Sequence, residues 1–265
     1  MSYFTGTIYS HAEKAYSNLT VILPHDSQDR PDIRLRPGVK KTDRPKTVIL
    51  LHGLLDNATS WLTRTSILRY AEEFNVAVLL PEVHRSWYQN MAWGQNYFDY
   101  ITKELPDLAE KMFRIDRSPD SLLIGGFSMG GYGAMKCVLT CPEAYCAAGA
   151  FSGACELKGL VSRLPDPDLA GMERDVAAMF GQGGTVPGDS DLFELAGRCK
   201  KELLPPIYLC CGTEDELIYE DSRNFDKHLT KLGISHRYEE WSGGHEFGFW
   251  DQAVERFLAQ YAAVS

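Results

Sequence analysis

One serine of this sequence is flanked, two positions away on each side, by a glycine. The stretch Gly126-Phe127-Ser128-Met129-Gly130 follows an apolar run at 121–126 and precedes a helical pattern at 129–140. A sharp strand-to-helix turn would present the Ser128 hydroxyl at the edge of a sheet, and the flanking glycines would avoid clashes across that turn. The amino end of the following helix would add free N–H groups and a positive partial charge. We therefore interpret Ser128 as a candidate nucleophile.

The same glycines could instead belong to a phosphate-binding turn, and the spacing argues against this alternative. The dinucleotide pattern G-x-G-x-x-G would need a glycine at the position of Ser128. The phosphate loop G-x-x-x-x-G-K-[ST] would need a Lys-Ser or Lys-Thr pair after the glycines, and none follows them. The local sequence thus favours a nucleophile over a phosphate site.

A serine hydroxyl attacks poorly unless a base within hydrogen-bond reach accepts its proton. After a strand–turn–helix nucleophile, the acid and then the histidine follow along the chain, each on a loop after a core strand. Three histidines follow Ser128: His228 falls in a helical pattern, His236 begins a strand, and His245 lies on a glycine-flanked loop before a helix. Only a loop position lets an imidazole reach the top of the sheet, so we predict His245 as the base.

Three neighbouring carboxylates could orient that imidazole. Glu214, Asp215 and Glu216 all lie on the loop after the apolar run 206–211. The chosen group would accept a hydrogen bond from imidazole Nδ1, set the tautomer and stabilise the imidazolium. Residue types and order favour Asp215 over Glu214 only weakly.

A tetrahedral intermediate also needs two hydrogen-bond donors for its negatively charged oxygen. One is expected to be the backbone N–H of Met129, the residue after the nucleophile, and the other to come from a loop after an earlier strand. The loop that begins Leu51-His52-Gly53-Leu54 has this position, so we assign the second donor to the N–H of Leu54. His52 precedes the nucleophile and adjoins the turn, which indicates a structural role.

Short apolar runs alternate with longer amphipathic stretches, and these elements must position the candidate residues. Strands are predicted at 18–23, 47–51, 76–80, 121–126, 147–151, 206–211 and 236–241. Helices are predicted at 60–74, 96–113 (interrupted or restarted at Pro106), 129–140, 173–180, 220–232 and 246–262. This alternation predicts an α/β fold with right-handed crossovers and a mostly parallel central sheet that carries helices on both faces.

Residues 155–204 break the alternation. They contain several prolines and glycines, one helical pattern and no strong strand. A separate polar, proline-containing segment lies earlier in the chain, at 25–45. A long segment between two core strands is usually a functional insertion, and in an α/β fold ligands bind at the carboxyl ends of the strands. We predict a single domain over residues 1–265, with 155–204 as a cap-like insertion over the active site.

Composition narrows the classes of partner. The chain has 265 residues, 36 acidic and 27 basic, for a net charge of −9. This charge disfavours nucleic acid and anionic membranes as partners, because both attract basic surfaces. The amino terminus lacks the pattern of a signal peptide, and no apolar stretch reaches the roughly 18 residues that a membrane span needs.

The cysteines favour a reducing compartment. There are seven, an odd number without a C-x-x-C pair, which fits neither a disulfide framework nor a zinc site. Buried, reduced thiols are the simplest interpretation, and they predict a cytoplasmic protein. We expect no metal and no other cofactor.

Taken together, these stretches resemble the esterase D group of α/β-hydrolases, which spans S-formylglutathione hydrolases, tributyrin esterases and carbohydrate esterases of the feruloyl and acetyl-xylan type. The matching stretches are Leu51-His52-Gly53-Leu54, Gly126 to Ala134, Cys211-Gly212-Thr213-Glu214-Asp215 and Gly243 to Trp250. The resemblance covers about residues 18 to 258. It implies the α/β-hydrolase fold, esterase activity and a catalytic triad of Ser128, Asp215 and His245, and it raises Asp215 above its neighbours.

The acid loop departs from the DQG-like loop typical of S-formylglutathione hydrolases and is more similar to the tributyrin and feruloyl esterase branch. We therefore expect a serine carboxylesterase for small-molecule esters with short-chain or aryl acyl groups. An S-formylglutathione hydrolase, an acyltransferase of the same fold and a non-catalytic binding module stay open as alternatives. Leu55, Trp93 and residues of the insertion are candidates for the substrate pocket. The sequence leaves the oligomeric state open, a homo-oligomer included.

Overall fold

A computed structural model describes residues 1–24, 34–42, 44–165 and 171–262. Parts of the predicted polar segment 25–45 and of the insertion 155–204 therefore lie outside the described residues. Within the described residues, eight strands form one sheet. They are β1 (Ser2–Ser10), β2 (Ala15–Leu23), β3 (Lys46–Leu51), β4 (Val76–Pro81), β5 (Leu122–Phe127), β6 (Ala147–Phe151), β7 (Ile207–Gly212) and β8 (Arg237–Trp241).

The sheet has the order β1-β2-β4-β3-β5-β6-β7-β8. Strands β3 to β8 run parallel to one another, whereas β2 is antiparallel to both β1 and β4. The predicted α/β fold with a mostly parallel sheet is thereby confirmed. Because parallel strands end at the same edge, the loops after β3, β5, β7 and β8 meet there, and these loops carry the candidate residues.

All seven predicted strands are present, and one strand was missed. Strand β1 pairs only with β2, and most of its side chains are exposed, Tyr3 and Phe4 among them. A strand at the edge of a sheet has little contact with the core, so its sequence lacks the apolar run that marks a buried strand. Strand β2 also begins three residues earlier than the predicted 18–23.

The helices lie on both faces of this sheet. Before the insertion they are α1 (Ser60–Arg64), α2 (Ile67–Glu73), α3 (Tyr97–Asp99), α4 (Leu105–Phe113) and α5 (Met129–Thr140). A π-helical turn, Tyr100–Glu104, joins α3 to α4, so the predicted helix 96–113 does restart, at Leu105 beside Pro106. The single helix predicted at 60–74 is wrong, because this stretch forms two separate helices, α1 and α2. The Asp251 carboxylate accepts a hydrogen bond from the Ser66 N–H at 2.6 Å, where α1 and α2 separate.

The insertion is more helical than its sequence predicts. Its described residues form α6 (Leu157–Ser162), α7 (Met172–Phe180) and α8 (Leu192–Arg198), of which only α7 was predicted. Helices of six or seven residues are too short to show a clear 3.6-residue period, which is why α6 and α8 were missed. The last two helices, α9 (Tyr219–Leu232) and α10 (Phe247–Tyr261), agree with prediction within a residue, and α8 packs against α5 and α9.

Two apolar layers enclose the sheet, one on each face. Along β3, Ile49 and Leu51 belong to the layer that contains α5, whereas Val48 and Leu50 belong to the layer that contains α10. Alternate side chains of a strand point to opposite faces, so a continuous apolar run is what burial on both faces requires. This burial holds the carboxyl ends of the strands in place under the loops. None of the helices in the described ranges combines the length and apolar character needed to cross a membrane.

Candidate active site

The turn between β5 and α5 carries Ser128 in a strained conformation. Its backbone has φ 54° and ψ −120°, a region that non-glycine residues rarely occupy. A Cβ atom at Gly126 would lie 2.5 Å from the carbonyl carbon of Gly130, and a Cβ atom at Gly130 would overlap the backbone oxygen of Leu51. Only glycine fits at either position, so the spacing of the two glycines in the sequence has a direct steric cause.

Three side chains from three loops form one hydrogen-bonded row. The Nε2 atom of His245 lies 3.0 Å from the Ser128 hydroxyl, and its Nδ1 atom lies 2.8 Å from Oδ2 of Asp215. The His245 ring also packs edge-on against Trp250, with 4.9 Å between ring centroids. The structure thus brings together the three residues predicted as nucleophile, base and acid, in the order that proton transfer from the hydroxyl requires.

Asp215 is held as a buried carboxylate. Its Oδ1 atom accepts a hydrogen bond from the Ile218 N–H at 3.0 Å, and the thiol of Cys211 lies 3.9 Å from Oδ2. Burial by itself raises the pKa of Asp215, but the hydrogen bond and charge of His245, with smaller contributions from Ile218 and Ser152, outweigh it and lower the pKa. The carboxylate is therefore ionised at neutral pH and stabilises positive charge on the imidazole.

The other candidates point elsewhere. Glu214 is exposed and accepts hydrogen bonds from Thr213 and from the Gly243 N–H, so it ties two loops together without contacting the imidazole. His228 Nε2 lies 3.0 Å from the Phe193 carbonyl oxygen, and His236 Nε2 lies 2.9 Å from Asp226. Geometry therefore separates Asp215 from its neighbours, which the local sequence does only weakly.

The loop after β3 lines the same cavity as the serine. Leu54 and Ser128 line one cavity, and Met129 begins α5, where the first backbone N–H groups have no partner within the helix. These are the two residues predicted to donate to the negatively charged oxygen. His52, predicted as structural, is buried behind this loop, and its Nδ1 lies 2.8 Å from the Gly53 carbonyl oxygen.

A carboxylate that sequence reasoning missed supports this loop. Oε1 of Glu82 lies 3.2 Å from Nε2 of His52, and Glu82 also accepts hydrogen bonds from the N–H groups of Ala58 and His84. Burial alone raises the pKa of Glu82, but the hydrogen bond and charge of His52, helped by these N–H groups, lower the pKa to about 2. Glu82 follows β4 directly, and nothing in its local sequence sets it apart from a solvated loop residue.

The serine opens into a cavity of about 790 Å³ with mostly apolar walls. Leu55, a candidate pocket residue, is among the lining residues, although it is 85% exposed. Trp93 is not a lining residue, contrary to the prediction. The residue is 57% exposed, and its backbone N–H donates to the carbonyl oxygen of Ala178 in α7. Among the described residues of the insertion, only Leu160 lines this cavity.

None of the aromatic residues that wall this cavity was predicted from the sequence. Trp87, Phe127, Phe247 and Trp250 line the cavity, and the rings of Phe127 and Trp250 stack with 4.2 Å between centroids. Phe247 and Trp250 lie in a stretch matched by the resemblance, but only the three-dimensional arrangement directs their rings to Ser128. The described ranges contain no group of three or more His, Cys, Asp or Glu side chains arranged to hold a metal ion.

The sheet order, the parallel strands and the strand–turn–helix serine define an α/β-hydrolase fold. Comparisons with known proteins agree. The family model described as "Putative esterase" matches residues 25–261. The acetyl esterase of Caldicellulosiruptor saccharolyticus is 30% identical over 271 residues, covering 97% of each chain. The chain belongs to this family of esterases and acts as a hydrolase on esters.

Two solved structures from Staphylococcus aureus are similar over nearly the whole chain. The fluorophosphonate-binding serine hydrolase F, solved with substrate bound, has a TM-score of 0.85 and 32% identity, with 98% of both chains covered. The apoenzyme of an S-formylglutathione hydrolase has a TM-score of 0.81 and 31% identity, again with 98% of both chains covered.

Proposed function

We propose that this protein is a serine carboxylesterase that hydrolyses short-chain or aryl acyl esters through an acyl-enzyme intermediate. One observation carries the proposal. The Ser128 hydroxyl, the His245 imidazole and the Asp215 carboxylate form a continuous hydrogen-bonded row at the floor of an apolar cavity. A small-molecule ester is the substrate, and no cofactor takes part.

The proposed mechanism assigns each residue one step. Ser128 attacks the acyl carbon while His245 accepts its proton, and Asp215 stabilises the imidazolium that forms. The backbone N–H groups of Leu54 and Met129 bind the oxygen of the tetrahedral intermediate, each lowering the barrier by about 3 kcal/mol. His245 then protonates the leaving alcohol. Water repeats the sequence on the acyl-enzyme and releases the acid.

The walls of the cavity support an ester with an uncharged acyl group. Leu54, Leu217 and Ile218 join the aromatic wall beside the serine. Among the described residues that line the cavity, three carry a formal charge. These three are Asp56, Arg64 and Glu246, and the guanidinium of Arg64 lies over the Phe247 ring at 4.8 Å. Apolar walls with a few polar groups suit a short alkyl or aryl acyl chain.

S-formylglutathione hydrolysis is the second candidate, favoured by the 31% identity to a protein of that activity. The charges argue against it. The tripeptide of glutathione carries net negative charge at neutral pH, and the cavity presents two carboxylates against one guanidinium. Like charges at such short range weaken binding. An acyltransferase of the same fold remains the third candidate, and it differs only in the acceptor that attacks the acyl-enzyme.

The proposed nucleophile is tested with Ser128→Ala. We expect hydrolysis of p-nitrophenyl acetate and butyrate to fall by about 10⁴-fold or more, as for removal of other serine nucleophiles, with an unchanged unfolding midpoint. Ser162→Ala, on the exposed side of α6, serves as the control and retains full activity. Turnover by Ser128→Ala at the original rate overturns the assignment, because the nucleophile then lies elsewhere, whereas no turnover by the unsubstituted protein would favour the non-catalytic binding module.

A substrate panel separates the three candidates. It contains p-nitrophenyl esters of rising acyl length, methyl ferulate, acetylated xylan and S-formylglutathione. A carboxylesterase prefers the oxygen esters, whereas a much higher kcat/KM for S-formylglutathione identifies the thioesterase. Methyl ferulate turnover far above that of the alkyl esters selects a feruloyl esterase. Addition of an alcohol that raises product ester above free acid identifies an acyltransferase.

We further propose a cytoplasmic location. All seven cysteines lie among the described residues and are free thiols, and Cys137, Cys155, Cys210 and Cys211 are buried. Burial raises the pKa of each of these four thiols, which keeps them protonated and unreactive. Detection of the native protein in a membrane-free cytoplasmic fraction tests this location.

A further inference from the structure

A second cavity lies along the same helix as the nucleophile. It has a volume of about 570 Å³ and is lined from α5, α8 and the segment after β4. Lys136 contributes its polar end, eight residues after Ser128 and thus about 12 Å further along the helix axis. In the described part of the chain, no residue lines both this cavity and the catalytic one.

Lys136 is a buried cation without a carboxylate partner. Lys136 is only 6% exposed. Its ammonium donates to Oε1 of Gln89 and lies 4.9 Å from the Phe98 ring centroid. Among the described residues, no carboxylate forms an ion pair with it, and Asp189 acts on it only through its charge, from a longer distance. Buried charges in proteins are normally paired, so a neutral amide and an aromatic ring leave this ammonium under-compensated.

The amide of Gln89 is held in place by its own partners. Its Nε2 donates to the Tyr132 hydroxyl at 2.8 Å, and its Oε1 also accepts from the Ser190 hydroxyl at 2.9 Å. The Tyr132 hydroxyl donates in turn to the Ser190 backbone oxygen at 2.6 Å. This network keeps Oε1 satisfied even when the ammonium turns to another acceptor. Lys136 therefore has donors available for a ligand in the cavity.

The inner walls are mostly apolar, and the exposed rim carries two basic and two acidic residues. Phe98, Leu139, Phe180 and Leu195 surround the inner space, while Arg198, Lys200, Glu143 and Asp189 stand at the exposed rim. One buried ammonium matches the charge of one carboxylate, and the apolar walls match a hydrocarbon tail. A fully hydrated dianion such as phosphate would find only one buried cation and no further fixed donors.

We propose that this cavity is a second binding site, distinct from the catalytic one, for a monocarboxylate with an apolar tail. The carboxylate oxygens accept hydrogen bonds from the Lys136 ammonium, and the tail packs against Phe98 and Leu139. The volume of about 570 Å³ is ample for an acid of six to ten carbon atoms.

The site has a characteristic pH dependence. Burial lowers the pKa of Lys136 to about 8, with weaker opposing effects of Cys137 and Asp189, so the ammonium is lost as pH rises through that value. Burial raises the pKa of Cys137 to about 12. Burial also raises the pKa values of Tyr132 and Cys199. The other charged groups that face the cavity are Glu143, Asp189, Arg198 and Lys200. Carboxylate affinity should fall about tenfold between pH 7 and pH 9.

The test is a calorimetric titration of the full chain with hexanoate. We expect binding to the unsubstituted protein and to Lys227→Met, an exposed lysine of α9, and at least about tenfold weaker binding to Lys136→Met. Hexanamide, which has the same tail without the charge, should bind as weakly as hexanoate does to Lys136→Met. Equal hexanoate affinity in Lys136→Met overturns the proposal, because it places the acid in the catalytic cavity or on the surface.

A second measurement avoids the substitution. If Lys136→Met does not fold, the unsubstituted protein is titrated with hexanoate at pH 7, 8 and 9. Tenfold weaker binding at pH 9 supports the site, whereas constant affinity over this range, or no detectable binding at any pH, overturns it.

Discussion

Glu82 and His52 are buried together behind the loop that carries Leu54, with 3.2 Å between Oε1 and Nε2. The Tyr88 hydroxyl donates a hydrogen bond to the His52 backbone oxygen at 2.8 Å. This cluster connects the end of β4 to the loop after β3. The position of one proposed oxyanion donor therefore depends on a carboxylate that never contacts substrate.

The first prediction concerns acid stability. The pKa of Glu82 is about 2 in the folded chain, below its ordinary 4.5, so its ionised form stabilises the fold above about pH 4.5. This contribution, up to about 3 kcal/mol, is lost as pH falls from about 4.5 toward 2. We expect Glu82→Gln to lower the thermal midpoint at pH 6 and to flatten its fall below pH 5. Exposed Glu202→Gln should retain the original profile, and parallel profiles for both variants would refute the prediction.

The second prediction separates the neighbouring carboxylates. Asp215→Asn keeps the shape of the side chain but removes the charge that orients and stabilises the imidazole. We expect kcat for p-nitrophenyl acetate to fall by about 10⁴-fold, as in other triads. Glu214→Gln retains an oxygen for the Gly243 N–H and should change kcat by less than about threefold, because Glu214 does not touch His245. A larger loss in Glu214→Gln than in Asp215→Asn would reverse the assignment.

The third prediction tests the steric cause of the glycine spacing. A methyl group at Gly126 would lie 2.5 Å from backbone atoms of Gly130, which cannot move without displacing the serine. Gly126→Ala should lower the free energy of unfolding by about 1–3 kcal/mol or more and reduce activity. Gly197 lies in α8, where an added Cβ would meet no neighbouring atom within 4 Å, so Gly197→Ala should be neutral or up to about 1 kcal/mol more stable. Urea unfolding measures both, and equal stabilities would count against close packing at the turn.

The fourth prediction concerns acyl length. Leu160 is the described residue of the insertion that lines the catalytic cavity, so Leu160→Ala should admit longer chains. We expect the ratio of kcat/KM for p-nitrophenyl hexanoate over acetate to rise by about 10-fold, within the range for one or two methylene groups. The ratio is independent of the fraction of folded enzyme. Leu203→Ala, an exposed leucine of the insertion, should leave it unchanged, and an unaltered ratio in Leu160→Ala would exclude a role of α6 in selectivity.

Several elements could be predicted from the sequence because their causes are local. Strands β3 to β7 are apolar runs buried on both faces, and the glycines at 126 and 130 report a turn that excludes any Cβ. Chain order and loop position were enough to select His245 among three histidines. Strand β1 was missed because an edge strand lacks a buried apolar run, and helix α8 because it is too short to show a clear period. The break between α1 and α2 was missed because it depends on Asp251, far away along the chain.

The fold class, the turn around Ser128 and the candidate base can be predicted from the residues alone, because strand burial, glycine sterics and chain order leave local patterns. Three-dimensional packing was needed to show that Asp215 rather than Glu214 meets the imidazole, that Trp93 lies outside the catalytic cavity, and that Lys136 is buried beside Gln89. The backbone path of a loop determines in which direction each of its side chains points, and the burial of a helix residue depends on what packs over it. Both are set by residues far away along the chain.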